Sequence, residues 1–247
     1  MISDLFPVSL KKELFRRNKA LYLFVQSFHS GKDLPAKTAI FNLNRGVVEL
    51  ILDGRHLGNG ILITQRSFIL MNWHCIRLGV RGLRVVTHKG ISYPVEFVCD
   101  SKEGEDIALV KARIPTEKDS PMDYGFFDMN EFLRVWKIPI VLLTRKEKEL
   151  CVKGGYTNGR VFPSVEVRAP NVSDHSNSVY NNHMGLEIDI GVGGVSGGAV
   201  ASIEGRLIGI LSTFCRNRTH FSTCALFSSA VELISRYCRK DDNSPKR

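Results

Sequence analysis

Residues 194–200 read GVSGGAV, which places a serine inside a tight glycine turn at the start of an apolar strand. Glycines beside Ser196 permit backbone conformations that most residues do not adopt. A serine hydroxyl is a weak nucleophile until a base takes its proton as it attacks. The segment therefore predicts a candidate nucleophile at Ser196, and the base has to come from elsewhere in the chain.

Two further segments supply a base and an acid, in the chain order His, Asp, Ser. Residues 68–75 read FILMNWHC, an apolar strand that delivers His74 at its end, and residues 105–111 read EDIALVK, with Asp106 just before a buried strand. Histidine titrates near neutral pH, so His74 can accept the serine proton. Asp106 would hold the imidazole in one tautomer and stabilise the imidazolium that forms. We predict a catalytic triad of His74, Asp106 and Ser196.

The surroundings of the triad predict an oxyanion site and leave one alternative open. The backbone amides of Gly194 and Ser196 are expected to face the developing oxyanion. Glu103 and Glu105 flank Asp106, and either acid remains a candidate for the third catalytic position. Each motif alone has an ordinary structural explanation, so the prediction depends on all three occurring together in one chain.

The rest of the sequence predicts an all-β fold, either one large β-domain (a sandwich or barrel) or two small antiparallel β-barrels that share a cleft, with an N-terminal helix and a short C-terminal helix. Short apolar strands recur between turn residues from about residue 39, and Asp53-Gly54 is a strong hairpin signal. Apolar residues recur near helical spacing over residues 9–27, and the Ser- and Asn-rich residues 170–182 predict a mobile loop. The predicted segments are the N-terminal helix and arm (1–35), the N-terminal barrel (36–114), the inter-barrel linker (115–135), the C-terminal barrel and helix (136–240, with the helix at 231–237) and a tail (241–247).

Composition and charge limit the class of protein. The chain has 247 residues, 43% of them hydrophobic, and it lacks the apolar run of roughly 18 residues that a membrane span needs. Its six cysteines form no C-x-x-C pair, so we expect no metal site, no cofactor and no disulfide framework. We also expect a reducing, intracellular location rather than secretion. The net charge of +9 includes short basic groups that suit either nucleic-acid phosphates or a merely solvated surface.

The combined motifs resemble the chymotrypsin-fold proteases (the PA clan) over roughly residues 45–235. Residues 58–63 (GNGILI) are similar to that family's strand before the catalytic histidine, and residues 207–212 (LIGILS) to the strand that lines its primary specificity pocket. The resemblance implies a two-barrel endopeptidase of chymotrypsin type that uses the predicted triad. The usual cysteine partner for Cys75 falls where this chain has Gly58, so the resemblance implies no disulfide there.

Within that fold, three segments resemble the picornain (3C-like) proteases of positive-strand RNA viruses. They are residues 14–18 (LFRRN), 126–132 (FFDMNEF) and 205–210 (GRLIGI). This resemblance implies an endopeptidase that processes a viral polyprotein in the host cytoplasm. Picornains usually carry cysteine as nucleophile, so Ser196 is either a natural serine variant or a serine that replaces the cysteine of a thiol protease.

The resemblance also implies a substrate-binding strand. An extended peptide is expected to pair its backbone with Leu211, Ser212, Thr213 and Phe214. Picornains that prefer glutamine carry a histidine where this chain has Leu211, and a leucine cannot hydrogen-bond a glutamine amide. Proteases of some plant nepoviruses resemble the chain in this substitution. Glutamine before the cleaved bond is therefore not expected to be strongly required, with His220 as an alternative partner for it.

Two rival functions remain open. A cellular HtrA-like serine protease shares the fold, but it is expected to carry a following peptide-binding domain, for which few residues remain after the last predicted helix. An RNA-binding module on a protease scaffold would have a viral RNA as its partner, since picornains often bind RNA through a basic linker motif. Residues 127–130 (FDMN), at the corresponding place, are not basic.

Overall fold

The described part of the chain folds into two closed antiparallel β-barrels of six strands each. The computed structural model of the protein describes residues 45–63, 67–115, 139–168, 177–188, 194–202, 207–214, 221–226, 229–231 and 233–234. This architecture confirms the predicted all-β fold of two barrels. Closure of both sheets pairs every edge strand, which is one way to avoid exposed backbone donors and acceptors.

The first barrel contains the strands that precede and follow the predicted His74 and Asp106. Its strands are β1 (Val47–Leu52), β2 (Arg55–Leu62), β3 (Phe68–Met71), β4 (Leu83–Val86), β5 (Ser92–Lys102) and β6 (Ile107–Ala112), in the barrel order β1-β2-β3-β6-β5-β4. The predicted hairpin joins β1 to β2. Both of its central residues, Asp53 and Gly54, have positive φ angles of 49° and 76°, as a type I′ turn requires.

The second barrel contains the turn that carries Ser196. Its strands are β7 (Pro139–Lys146), β8 (Glu149–Arg168), β9 (Asn177–Glu187), β10 (Ala199–Ser202), β11 (Leu207–Phe214) and β12 (Phe221–Leu226), in the barrel order β10-β11-β12-β9-β8-β7. The Ser196 turn lies directly before β10. Its neighbour β11 runs back beside it, pairing Ala199 with Ile210.

Several strands are apolar on both faces because one face lines a barrel and the other faces the inter-barrel seam, where the two barrels meet. In β3, Ile69 and Met71 belong to the core of the first barrel. Phe68 and Leu70 belong to a second cluster, which also contains Leu143 of the second barrel. Burying one such side chain fully contributes about 1.5–3 kcal/mol. Packing at the seam therefore holds the ends of β3 and β10 in fixed relative positions.

The predicted terminal segments are largely outside the described residues. The predicted N-terminal helix at residues 9–27 and most of the linker at 115–135 fall there, so these boundaries stay predictions. Residues 229–231 and 233–234 are helical, and the remainder of the predicted C-terminal helix is not described. No helical stretch among the described residues has the length and apolar character needed to cross a bilayer.

Two parts of the second barrel were not anticipated from the sequence. Residues 177–182, predicted to be part of a loop, belong to β9, which pairs with β8 from Asn177 onward. Asparagine and serine have low strand propensity, but pairing with the long strand β8 outweighs it. The strand β12 was not predicted either, because both of its faces are buried and Ser222 and Thr223 interrupt its apolar pattern.

Candidate active site

His74 follows β3 in a single 3-10 turn, Trp73–Cys75. Asn72, just before this turn, donates from its side-chain amide to the backbone carbonyl of Asp106 at 3.2 Å. The backbone amide of Trp73 donates to the same carbonyl at 3.3 Å. The side chain of His74 keeps 30% of its surface exposed. The end of β3 is therefore fixed to the start of β6, and the imidazole remains partly accessible to a substrate.

Asp106 is a fully buried acid in a left-handed backbone conformation, with φ 54° and ψ 40°. Its Oδ1 accepts the backbone amide of His74 at 2.9 Å, and its Oδ2 accepts Nδ1 of His74 at 2.8 Å. Oδ2 also accepts a hydrogen bond from the hydroxyl of Ser212. Burying a carboxylate is costly unless it is hydrogen-bonded. These three donors together allow Asp106 to stay charged inside the protein.

The contact with Asp106 assigns the tautomer of His74. An ionised carboxylate only accepts hydrogen bonds, so Nδ1 of His74 carries a proton and Nε2 is free to take one. Burial alone lowers the pKa of His74, but the sulfur of Cys75 and the hydrogen-bonded Asp106 carboxylate raise it. The resulting pKa is well above the usual value for histidine. His74 is therefore a strengthened base, as proton abstraction from a hydroxyl requires.

The two acids that were alternatives to Asp106 do not contact His74 in the structure. Glu103 is exposed, and Glu105 forms an ion pair with Lys102 at 3.9 Å. The backbone carbonyl of Glu105 instead accepts a hydrogen bond from Nε2 of His183 in β9 at 3.2 Å. The Asp106 turn is therefore held by the second barrel as well as the first.

His183 itself was not singled out from the sequence. It is fully buried, its Nδ1 lies 3.1 Å from the hydroxyl of Thr223, and burial lowers its pKa. A neutral His183 donates from Nε2 and accepts at Nδ1, which satisfies both contacts. His183 lies just after the predicted loop at residues 170–182 and belongs to no motif, so nothing in the sequence pointed to it.

Ser196 lies at the inter-barrel seam, beside the residue that follows His74. Its backbone carbonyl accepts the amide of Asn59 in β2 at 2.7 Å. A Cβ atom added to Gly58 would lie 2.8 Å from the Ser196 carbonyl oxygen and 3.6 Å from Sγ of Cys75. Gly58 thus allows the Ser196 turn and the His74 turn to approach the same strand. In the chymotrypsin-fold proteases that the sequence resembles, the residue at position 58 is the cysteine that pairs with the counterpart of Cys75. Here Gly58 occupies that position, and Cys75 is a free thiol.

The described hydrogen bonds do not include one between the Ser196 hydroxyl and His74. Catalytic hydrogen bonds of this kind are often long until the substrate is bound. The structure therefore brings together His74, Asp106 and Ser212, and it places the backbone of Ser196 close to Cys75, the residue after His74. The role of Ser196 as nucleophile stays a prediction.

The carbonyl groups of Gly194, Val195 and Ser196 are each hydrogen-bonded within the protein. The carbonyl of Gly194 accepts from His56 at 2.6 Å and from Asn59 at 3.2 Å. The carbonyl of Val195 accepts the amide of Gly198 at 3.1 Å. Neither Gly194 nor Ser196 uses its backbone amide in a hydrogen bond to another described residue. Both amides are thus available to a ligand oxygen, which is what the predicted oxyanion site requires.

The predicted substrate-binding residues have different surroundings. Leu211 is buried in the core of the second barrel, and its backbone exchanges hydrogen bonds with Gly197 and Gly198. Ser212 uses its hydroxyl to hold Asp106. Thr213 and Phe214 pair with β12 through their backbones, and their side chains, like residue 220, fall outside what the structure describes. The substrate-binding role of this strand stays a prediction.

Polar residues inside the apolar strands β1 and β2 also belong to the site, and they were not predicted from the sequence. Glu49 interrupts the apolar run of β1 and is 3% exposed, and Asn59 in β2 is fully buried. His56, also in β2, bridges Glu49 to the Gly194 carbonyl. A buried charge is rarely retained without a partner. Within the described ranges, no three His, Cys, Asp or Glu side chains are arranged to hold a metal ion.

Two closed antiparallel barrels, with a histidine–aspartate pair at their seam and a glycine-flanked serine beside it, define a protein of the chymotrypsin fold. The family of trypsin-like peptidase domains matches residues 58–210 of the sequence. The chain belongs to the trypsin-like peptidase domain family. A comparison with curated proteins found no match.

Solved structures with the same fold have little sequence in common with the chain. An inactive serine-to-alanine mutant of Rv3671c from M. tuberculosis superposes with a TM-score of 0.58 and 12% identity, covering 83% of this chain and 94% of its own. The MamO protease domain of Magnetospirillum magneticum superposes with a TM-score of 0.59 and 13% identity, covering 78% of this chain and 97% of its own. At this identity the likeness supports the fold alone.

Proposed function

We propose that the protein is an endopeptidase that hydrolyses peptide bonds by acyl transfer through Ser196. The observation that carries the proposal is the His74–Asp106 pair, in which Nδ1 lies 2.8 Å from a fully buried carboxylate. This pair fixes the tautomer in which Nε2 accepts a proton. A purely structural histidine would not need a buried acid whose own partners extend to the second barrel.

The proposed reaction uses only residues of this chain. Oγ of Ser196 bonds to the scissile carbonyl carbon while Nε2 of His74 takes its proton. The oxyanion that forms would be bound by the amides of Gly194 and Ser196, and one such donor is typically worth about 3–4 kcal/mol. His74 then gives the proton to the leaving amine, and a water molecule releases the acyl group by the reverse steps.

We propose further that the substrate is a viral polyprotein and that the enzyme works in a reducing, intracellular setting. The support for the substrate is the sequence likeness of residues 205–210 to the picornain proteases. The support for the setting is that Cys75, Cys151 and Cys224 are free thiols. The extended substrate would pair with the backbone of Ser212, Thr213 and Phe214. The strand β12 pairs with Thr213 and Phe214 from the other side.

Peptide-library cleavage by the purified chain and by two variants tests the proposal. We expect the wild type to cleave peptides and Ser196→Ala to lose at least about 10⁴-fold in kcat. Cleavage by Ser196→Cys alone, with an inert wild type, would mean that serine replaces a native cysteine. Inactivity of both the serine and the cysteine form would overturn the proposed function.

A further inference from the structure

Two polar side chains of the first barrel donate hydrogen bonds to the Gly194 carbonyl, and a third polar residue of that barrel holds one of these donors. Nε2 of His56 donates to this carbonyl at 2.6 Å, and the side-chain amide of Asn59 donates to it at 3.2 Å. Nδ1 of His56 in turn lies 2.8 Å from Oε1 of Glu49. We propose that Glu49, His56 and Asn59, here called the Gly194 clamp, are positioning residues for the oxyanion site. The inference rests on the proposed function and extends it to residues that do not touch the substrate.

The hydrogen bond to the Gly194 carbonyl assigns a proton to Nε2 of His56, because a carbonyl oxygen only accepts. The Glu49 carboxyl group holds the same ring from its other side, with Oε1 2.8 Å from Nδ1. The ring of His56 is therefore fixed at both nitrogens, and this fixes the donor that holds the Gly194 carbonyl.

His56 also packs directly against Gly194. A Cβ atom at Gly194 would lie 2.8 Å from Cδ2 and 3.1 Å from Nε2 of His56, and Gly194 has a φ of 86°. The peptide that joins Gly194 to Val195 lies between the two amides predicted to bind the oxyanion. Displacement of this peptide would break the hydrogen bonds of the clamp and shift the backbone on both sides of it, which carries the two amides. Holding its carbonyl thus presets the geometry on which electrostatic stabilisation depends.

The clamp is itself held by the second barrel. The Glu49 carboxylate accepts the backbone amides of Glu147 and Lys148, in the turn between β7 and β8, at 3.0 and 3.4 Å. The backbone amide of Arg145 donates to Oδ1 of Asn59 at 2.6 Å. Arg145 is buried, which lowers its pKa, and the charge of Glu49 opposes that change. Any displacement of one barrel relative to the other would therefore move the clamp residues that hold the Gly194 carbonyl.

The test compares clamp variants with matched controls outside the clamp. His56→Phe removes both ring hydrogen bonds while keeping an aromatic ring, and Glu49→Gln removes only the charge. His88→Phe changes a half-buried histidine of the same barrel, and Glu96→Gln an exposed acid. Each variant is assayed for kcat and KM, for binding of a peptide aldehyde and for binding of a product peptide. The aldehyde forms a hemiacetal with Ser196, whose oxygen occupies the oxyanion site, whereas the product peptide does not need that site.

We expect His56→Phe to lower kcat by about 10- to 100-fold with KM within about twofold, since small misplacements of catalytic groups cost this much. Aldehyde affinity should fall by a similar factor and product-peptide affinity should not change. Glu49→Gln should show the same pattern to a smaller extent, and it serves as the second variant if His56→Phe does not fold. Both controls should match the wild type.

Two results would overturn the inference while leaving the proposed function intact. One is an active wild type whose clamp variants keep their kcat and aldehyde affinity. The other is a loss in which product-peptide affinity falls as far as aldehyde affinity, since that describes general damage. A wild type that neither cleaves peptides nor binds the aldehyde overturns the proposed function, and the inference with it.

Discussion

Asp106 combines full burial, a left-handed backbone and three hydrogen bonds to its carboxylate. The sequence predicted its pairing with His74 from its place before an apolar strand. The backbone conformation could not be predicted, because aspartate adopts φ values above zero only in particular contexts. At the scale of single residues, the sequence therefore predicted the His74–Asp106 pair, while the other contacts of the carboxylate depend on residues far apart in the chain.

The raised pKa of His74 predicts the pH dependence of peptide cleavage. Because the pKa is raised, the imidazole stays protonated to higher pH, and the free base appears only above the usual range for histidine. We expect kcat/KM to rise as the pH increases through the pKa of His74, which lies above that range, and to be low at pH values below this pKa. Asp106→Asn removes the carboxylate, so it should move the rising limb of the pH profile to lower pH and reduce kcat by about 10⁴-fold.

The pH profile of kcat/KM for the wild type and for Asp106→Asn measures both effects. Glu103→Gln, which changes a nearby exposed acid, is the control and should leave the limb unchanged. A wild-type limb at or below the usual histidine range, or an Asp106→Asn profile identical to that of the wild type, would contradict the assignment.

Gly197 and Gly54 offer a matched pair of glycines with positive φ, 78° and 76°. A Cβ atom at Gly197 would overlap the backbone carbonyl of Asn59, whereas nothing lies within 4 Å of a Cβ at Gly54. We expect Gly54→Ala to cost about 1–2 kcal/mol through backbone strain alone. Gly197→Ala should cost more and also abolish cleavage, since the Ser196 turn must move.

Urea unfolding and cleavage assays on both variants provide the comparison. Equal losses of stability, with cleavage retained in Gly197→Ala, would show that the close approach between the Ser196 turn and β2 does not matter.

At the scale of elements, β11 links the second barrel to Asp106, the proposed catalytic acid. Ser212 in β11 donates its hydroxyl to the carboxylate of Asp106. Ser222 in β12 is also buried, but its hydroxyl has no hydrogen-bond partner among the described residues. The two serines therefore differ in hydrogen bonding at nearly the same depth.

Ser212→Ala should lower kcat and destabilise the fold by about 1.5–3 kcal/mol, the usual range for a hydrogen bond to a charged group. Ser222→Ala should be close to neutral in both respects, because no hydrogen bond is lost. Parallel measurements of thermal unfolding and of kcat distinguish them. Similar behaviour of the two variants would remove the support for β11 as a positioning strand.

Most strands were predictable because their apolar runs end at clear turn residues. The strand β3, with all four residues buried, and the hairpin at Asp53 belong to this group. The strand β9 begins inside a Ser- and Asn-rich segment, and β12 carries buried Ser222 and Thr223. Their pairing is set by neighbouring strands of the barrel, which local sequence does not reveal.

At the scale of the whole molecule, Arg145 joins the two barrels. Its Nε donates to the backbone carbonyl of Val47 at 3.1 Å, and its Nη1 donates to the carbonyl of Lys148 at 2.7 Å. It is 3% exposed and lies near the buried Glu49. Strand spacing together with the family resemblance predicted two barrels, but a contact between residues so far apart in the chain could not be predicted from the sequence.

Arg145→Met should reduce the free energy of unfolding by about 3–5 kcal/mol, because it removes two buried hydrogen bonds to backbone carbonyls and the positive charge near the buried Glu49. Arg113→Met is the control, since Arg113 is exposed and pairs with Glu96 at the surface. That pair should contribute at most about 1 kcal/mol. Chemical denaturation measures both, and a loss for Arg145→Met no larger than that of the control would contradict the proposed role.

The central claim is that Ser196 is a nucleophile activated by His74. A fluorophosphonate reacts with such a serine by displacement of fluoride, which leaves a phosphonyl group on Oγ, and mass spectrometry of the digested protein locates the modified residue. We expect a single label on Ser196 in the wild type, greatly slowed labelling in His74→Ala and no label in Ser196→Ala. A wild type that stays unlabelled, or that carries its label on another residue, would contradict the assignment of Ser196 as the nucleophile.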